Sequence, residues 1–164
     1  MADSEPDPDA LRRRRERILR GFAEAVPHNR ALGIEIVELG DGRARYRLPY
    51  DPRLIGNPET GVLHGGAITA LLDACCGSAV FNALPQPQPI ATLDLRIDYL
   101  RPAVPPHAVV ASAHCYKVTR NVAFVRAVAY HDDEADPIAA AAGTFMVATK
   151  LGDPARRKPA GGGA

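Results

Sequence analysis

Apolar residues alternate with polar ones, period two, over most of this chain, and one long stretch breaks the rhythm. Residues 33–39 alternate, with Ile34, Ile36 and Glu38 on one face. Asp41-Gly42 then marks a hairpin turn, because both residues tolerate the left-handed backbone a tight turn needs. Residues 43–48 follow with Ala44, Tyr46 and Leu48 on the apolar face, and Pro49 and Pro52 end the strand. Further strands are predicted at 92–100, 108–118, 123–131 and 138–150. The first of these places Leu93, Leu95, Ile97 and Tyr99 on one face, and Thr92, Asp94, Arg96 and Asp98 on the other. Such alternation belongs to a sheet with one buried and one wet face, as antiparallel pairing gives.

The exception is residues 67–84, AITALLDACCGSAVFNAL, which are apolar on nearly every helical face. A helix of this kind must be wrapped by other structure. It is too short and interrupted to span a bilayer, and PQPQP at 85–89 ends it. Upstream, Asp9 can cap a helix over residues 10–26, with Leu11, Ile18, Phe22 and Val26 as its stripe and Pro27 as its stop. Its arginines, Arg12 to Arg15, Arg17 and Arg20, form a solvated face or a docking patch for an anionic partner. The expected architecture is therefore α+β: a curved antiparallel sheet wrapped around a central helix, with an extra N-terminal helix. One domain over residues 10–151 is flanked by tails, 1–9 and 152–164, whose Asp, Pro and Gly content predicts disorder.

Composition narrows the function. Lys plus Arg number 20 and acidic residues 19, so the basic excess of a nucleic-acid binder is missing. Cys75, Cys76 and Cys115 form neither a disulfide framework nor a zinc motif. With no signal-peptide core at the N-terminus, the expected location is the cytoplasm and no membrane is implicated. The histidines lack metal-ligand spacing, and Val62 stands where a phosphate loop starting at Gly56 needs its lysine. No cofactor or metal is expected.

Two features carry chemistry. His64-Gly65-Gly66 opens the central helix, where unpaired N–H groups and the helix dipole could hold an oxyanion formed at a thioester carbonyl. A tight loop that needs glycine is the plainer explanation. Asp73 sits among Leu71, Leu72, Ala74, Cys75 and Cys76. A carboxylate there costs several kcal/mol, on the order given for polar burial, unless it is partnered or faces a cleft. Either a catalytic base or a structurally paired acid fits. Gly65 and Asp73 are eight residues apart, roughly 12 Å along a helix, too far to meet at one carbon. Two such helices packed antiparallel would bring Gly65 of one chain to Asp73 of the other, so a homodimer, or a homotetramer of dimers, is expected.

The stretch from Gly56 and Asn57 through His64-Gly65-Gly66 to Asp73 resembles the signature of the PaaI-like hotdog-fold thioesterases. So does Tyr99-Leu100-Arg101-Pro102-Ala103 at the end of a strand. The resemblance covers residues 30–149 and implies an acyl-CoA substrate. It implies that the Gly65 N–H polarises the thioester carbonyl, with Gly66 beside the substrate, and that Asp73 of the partner chain is the nucleophile or general base. His64 and Asn57 would position substrate or water, Thr92 would orient the water, and Arg101 and Arg120 would grip CoA. By strict alternation Thr92 falls on the wet face. Ile55-Gly56-Asn57-Pro58 also resembles part of a hotdog hydratase motif, but that motif's Asp is missing. The competing function is a non-catalytic acyl-CoA binding module.

Overall fold

The computed structural model describes residues 25–86 and 88–147, together with Arg13. Both expected tails, most of the helix expected over 10–26 and the last residues of the final strand lie outside the described residues.

A single antiparallel sheet of six strands dominates the described residues, in the order β1-β2-β6-β7-β8-β5. Its strands are β1 (Glu35–Gly40), β2 (Arg43–Leu48), β5 (Ile90–Tyr99), β6 (Val109–Val118), β7 (Val122–Tyr130) and β8 (Ala139–Val147). A small ribbon, β3 (Ile55–Asn57) with β4 (Val62–Leu63), lies in the connection before the central helix, Gly65–Ala83. That helix packs chiefly on β6, β2 and β7. By length and composition it could cross a membrane, but its surroundings are the sheet: Ile68, Leu71, Leu72, Cys75, Cys76, Ala79 and Val80 are buried against it. Each large apolar side chain so buried stabilises the fold by about 1.5–3 kcal/mol.

The expected sheet, helix and order are present, with corrections of detail. The central helix starts at Gly65 rather than Ala67, capped by His64. Pro27, expected as a helix stop, opens a short helix, Pro27–Leu32, because its missing N–H and fixed φ suit a first helical turn. The alternation within strands is broken by bulges at Val37, Leu93 and Tyr116. Each inserts one residue and reverses the faces beyond it. Glu38 therefore leaves the apolar face and pairs with Arg45, while Leu39 turns inward. Leu93, expected inside, is 56% exposed.

The three cysteines are free and buried. Burial, reinforced by the negative charge of Asp73, pushes the Cys76 thiol from 9.0 up to about 12, and burial pushes Cys75 well above its ordinary value. The sign of the consequence is fixed. Above pH 9 the unfolded chain ionises these thiols while the folded chain keeps them protonated, so stability is full below that pH and is lost as pH rises toward 12. Each thiol contributes a slope of about 1.4 kcal/mol per pH unit. The urea midpoint should fall between about pH 8 and about pH 10.5, and fall less in Cys76→Ala. Equal slopes in the two proteins would show that Cys76 ionises as readily inside as outside.

Candidate active site

The start of the central helix is built by close backbone contacts. The His64 N–H donates to the Leu54 carbonyl at 2.8 Å, and the Leu63 N–H to Ala103 at 3.1 Å. A side chain at Gly56 would come within 2.8 Å of the His64 Cα, so glycine is what lets the β3–β4 ribbon lie against the helix cap. Asn57 belongs to that ribbon. Its side-chain oxygen accepts from the Glu59 N–H and its carbonyl from Gly61. His64 caps the helix, with Nδ1 accepting from the Gly66 N–H at 2.9 Å. An accepting Nδ1 leaves the ring proton on Nε2, available as a donor. The Gly65 N–H has no acceptor within the helix.

Tyr99 braces this turn. Its hydroxyl donates to the Gly65 carbonyl at 2.7 Å and lies 2.8 Å from Thr69 Oγ1. The same peptide group thus accepts from Tyr99 through its oxygen and donates to His64 through its N–H, and bonds chained in this way strengthen one another. Alternation places Tyr99 among the core-facing residues, and the family signature includes it, but neither assigns it a role at the helix start.

Asp73 lies two turns further along, half-buried, and its Oδ1 accepts from the Thr92 hydroxyl at 2.9 Å. Both line a cavity of about 1090 Å³ between the helix, the start of β5 and the short helix Pro27–Leu32. Gly66, Ser78, Phe81 and Leu95 also line it. Thr92 reaches it because of the Leu93 bulge: the expectation of a wet-face Thr92 assumed unbroken alternation, and the inserted residue puts Thr92 on the same side as Leu95. The Ser78 hydroxyl is held by the buried Tyr46.

Gly65 opens elsewhere. It lines a second hollow of about 320 Å³ with Ile68, Tyr99 and Arg101. Within one chain, then, Gly66, Asp73 and Thr92 share one hollow, Gly65 and Arg101 share another, and His64 and Asn57 stand at the rim of the helix start. The Arg101 guanidinium is engaged by Asp136, both its carboxylate at 3.1 Å and its carbonyl at 2.7 Å. Arg120 is exposed on the turn between β6 and β7. That turn adjoins the Ile90 end of β5 and Arg101 follows its Tyr99 end, a separation of about 30 Å at strand rise. One chain does not bring the two arginines together.

The sequence profile of the thioesterase superfamily matches residues 60–138, the segment from the β3–β4 turn to the start of β8. Over 139 residues the chain is 32% identical to the medium/long-chain acyl-CoA thioesterase YigI of Escherichia coli, covering 77% of this chain and 88% of that one. The chain belongs to the thioesterase superfamily. It is a thioester hydrolase of the PaaI-like hotdog type, as the resemblance of its motifs implied, and this favours the enzyme over a pure binding module. A crystal structure of a Pseudomonas aeruginosa protein is 47% identical, covers 78% of this chain and 95% of that one, and superposes with a TM-score of 0.71. For the phenylacetic acid degradation protein PaaI of Thermus thermophilus the values are 26%, 73% and 97%, with a TM-score of 0.64. A 75-residue match to a Halobacterium salinarum protein, at 43% identity, spans half of that relative's length.

Proposed function

We propose that this protein hydrolyses acyl-CoA to the free acid and CoA, at sites shared between the two chains of a homodimer. The observation that carries the reading is the Asp73–Thr92 pair on the wall of a large cavity, while Gly65 lines a different hollow of the same chain. The two are roughly 12 Å apart along one helix, so a second, antiparallel copy is what would set one against the other. The name of the Escherichia coli relative supports the acyl-CoA substrate.

In this reading the Gly65 N–H of one chain takes the negative charge that develops on the thioester oxygen. Asp73 of the other chain attacks the carbonyl carbon, or removes a proton from the water that does, and the Thr92 hydroxyl holds the carboxylate or that water in line. The C–S bond breaks, and a proton from the attacking water passes to the sulfur so that CoA leaves as a thiol; where Asp73 itself attacks, water then hydrolyses the mixed anhydride, releasing the acid and the free carboxylate. His64 Nε2–H and Asn57 stand on the leaving-group side, with Gly66 beside the substrate. Arg120 has no side-chain partner among the described residues, so it is the better placed of the two arginines to meet a CoA phosphate. Free buried thiols fit a reducing cytoplasm.

The test is release of free thiol from a panel of short, long and aromatic acyl-CoAs, with light scattering on the same preparation. Hydrolysis that persists in EDTA by a dimer or tetramer is expected. Tight binding of every ester without thiol release would replace the enzyme by a binding module, and an active monomer would end the shared site.

A further inference from the structure

His131 follows β7 and lines neither of the two hollows. Both nitrogens of its half-buried ring are nevertheless engaged by backbone groups. The Val104 N–H donates to Nε2 at 3.1 Å. A nitrogen that accepts must hold a lone pair, which puts the proton of the neutral imidazole on Nδ1. Nδ1 then donates to the Ala108 carbonyl at 2.8 Å. One ring therefore spans the two ends of the bend 104–108, between β5 and β6. His107, inside that bend, packs against it with ring centroids 5.3 Å apart.

The bond to Val104 reaches further than the bend. The Ala103 carbonyl and the Val104 N–H are the two polar ends of one peptide group, and that carbonyl accepts from the Leu63 N–H at 3.1 Å. The chain of bonds runs from Leu63 through the Ala103–Val104 peptide to His131, and bonds linked through a shared peptide strengthen one another. Leu63 ends β4, and His64, the cap, and Gly65, the first helical residue, follow it directly. Leu63, Ala103 and Gly65 line the same hollow. The bend also presses on the turn of the β3–β4 ribbon, where a side chain at Gly61 would come within 3.0 Å of Pro105. Val104 is part-exposed, so water could satisfy its N–H. Water would not fix where that N–H points; a ring anchored on Ala108 does.

We propose that His131 is a positioning residue for thioester hydrolysis: through the Ala103–Val104 peptide it holds the junction between β4 and the central helix, and with it the Gly65 N–H. This rests on the reading of that N–H as the oxyanion donor and adds a residue that aims it from outside the site. Such donors act by standing in place before charge develops, and a small misplacement lowers rate even when its cause lies far from the chemistry.

Substitution can separate the two ring nitrogens. The carboxamide of glutamine reaches the place of Nε2, and that of asparagine, one carbon shorter, the place of Nδ1. His131→Gln therefore keeps an acceptor for Val104, His131→Asn keeps only a donor for Ala108, and His131→Leu keeps neither. On an acyl-CoA that the native protein hydrolyses, the Leu and Asn variants should lose about 10-fold in kcat, on the scale of one hydrogen bond, with KM and melting temperature near native. The Gln variant should stay close to the native kcat. Combining His131→Leu with Gly65→Pro shows whether the effect runs through the Gly65 N–H: once proline has removed that donor, the loss at His131 should add nothing. An additive loss overturns the proposal, and so does rescue by Asn in place of Gln, or unchanged kcat in all three variants. A fall in kcat matched by a fall in melting temperature, and not repaired by Gln, makes the ring a brace of the bend alone and overturns it too. All of these leave the oxyanion reading intact. Native turnover in Gly65→Pro by itself sinks that reading and takes this inference with it.

Discussion

Asp73→Asn lowers turnover by about 10²–10⁴-fold, the usual contribution of a positioned general base, and leaves the protein folded. The amide keeps the size of the carboxylate, and its oxygen can still accept the Thr92 hydroxyl now found at 2.9 Å. What it lacks is the basicity to take a proton from water and the charge to attack a thioester. The melting temperature should stay near the native value or rise, since Asp73 is half-buried and no cation is paired with it among the described residues. KM should change little, because Asp73 acts on the reacting carbonyl rather than on the CoA grip. A purely structural acid predicts the opposite pattern: a lower melting temperature, with activity lost only in proportion to unfolded protein. Thr92→Val separates the partners further. It should cost less than Asp73→Asn, since the base remains and only its orientation is loosened. Near-normal turnover in a folded Asp73→Asn protein would remove Asp73 from the mechanism.

The layout of the fold could be read from the chain because it rests on period and continuity. Period-two strands and a helix apolar on every face leave few arrangements other than a sheet curled around that helix. The bulges could not be read in this way. At Leu93 the local residues alternate without a fault, and the inserted residue is decided by the pairing of Thr92 with Phe145 and Asp94 with Thr144 on β8, some fifty residues later. Missing it put Thr92 on the wrong face, although the residue itself had been singled out. A separation of 35 residues likewise hid the bond from Arg101 to Asp136. Tyr99 illustrates a different gap. Its alternation marked it as core, yet its ring is half-exposed and its hydroxyl braces Gly65. A tyrosine where phenylalanine would fill the same space, three residues before Pro102, was the available signal.

The other large effect is expected at a backbone atom. Gly65 is the first residue of the central helix and follows an extended His64, with ψ 133°. Proline is tolerated at the first helical position, and the residue before it prefers that extended state. Gly65→Pro therefore deletes one N–H while the helix can still form. A side chain at this position comes 3.3 Å from the Tyr99 hydroxyl, so some crowding is unavoidable, but Gly65→Ala suffers it equally and keeps the N–H. If that N–H holds the oxyanion, proline should lower kcat by about 10²–10³-fold, the loss seen when one such donor is removed, and alanine far less. Equal losses would assign the effect to the push on Tyr99. The pair also tests the shared site. Gly65→Pro chains and Asp73→Asn chains, each nearly inactive alone, should regain activity when unfolded together and refolded. In a mixed dimer one site carries both defects and the other carries none, so random pairing restores about a quarter of the native sites. If both groups served the same chain, every site in the mixture would carry a defect, and mixing would restore nothing.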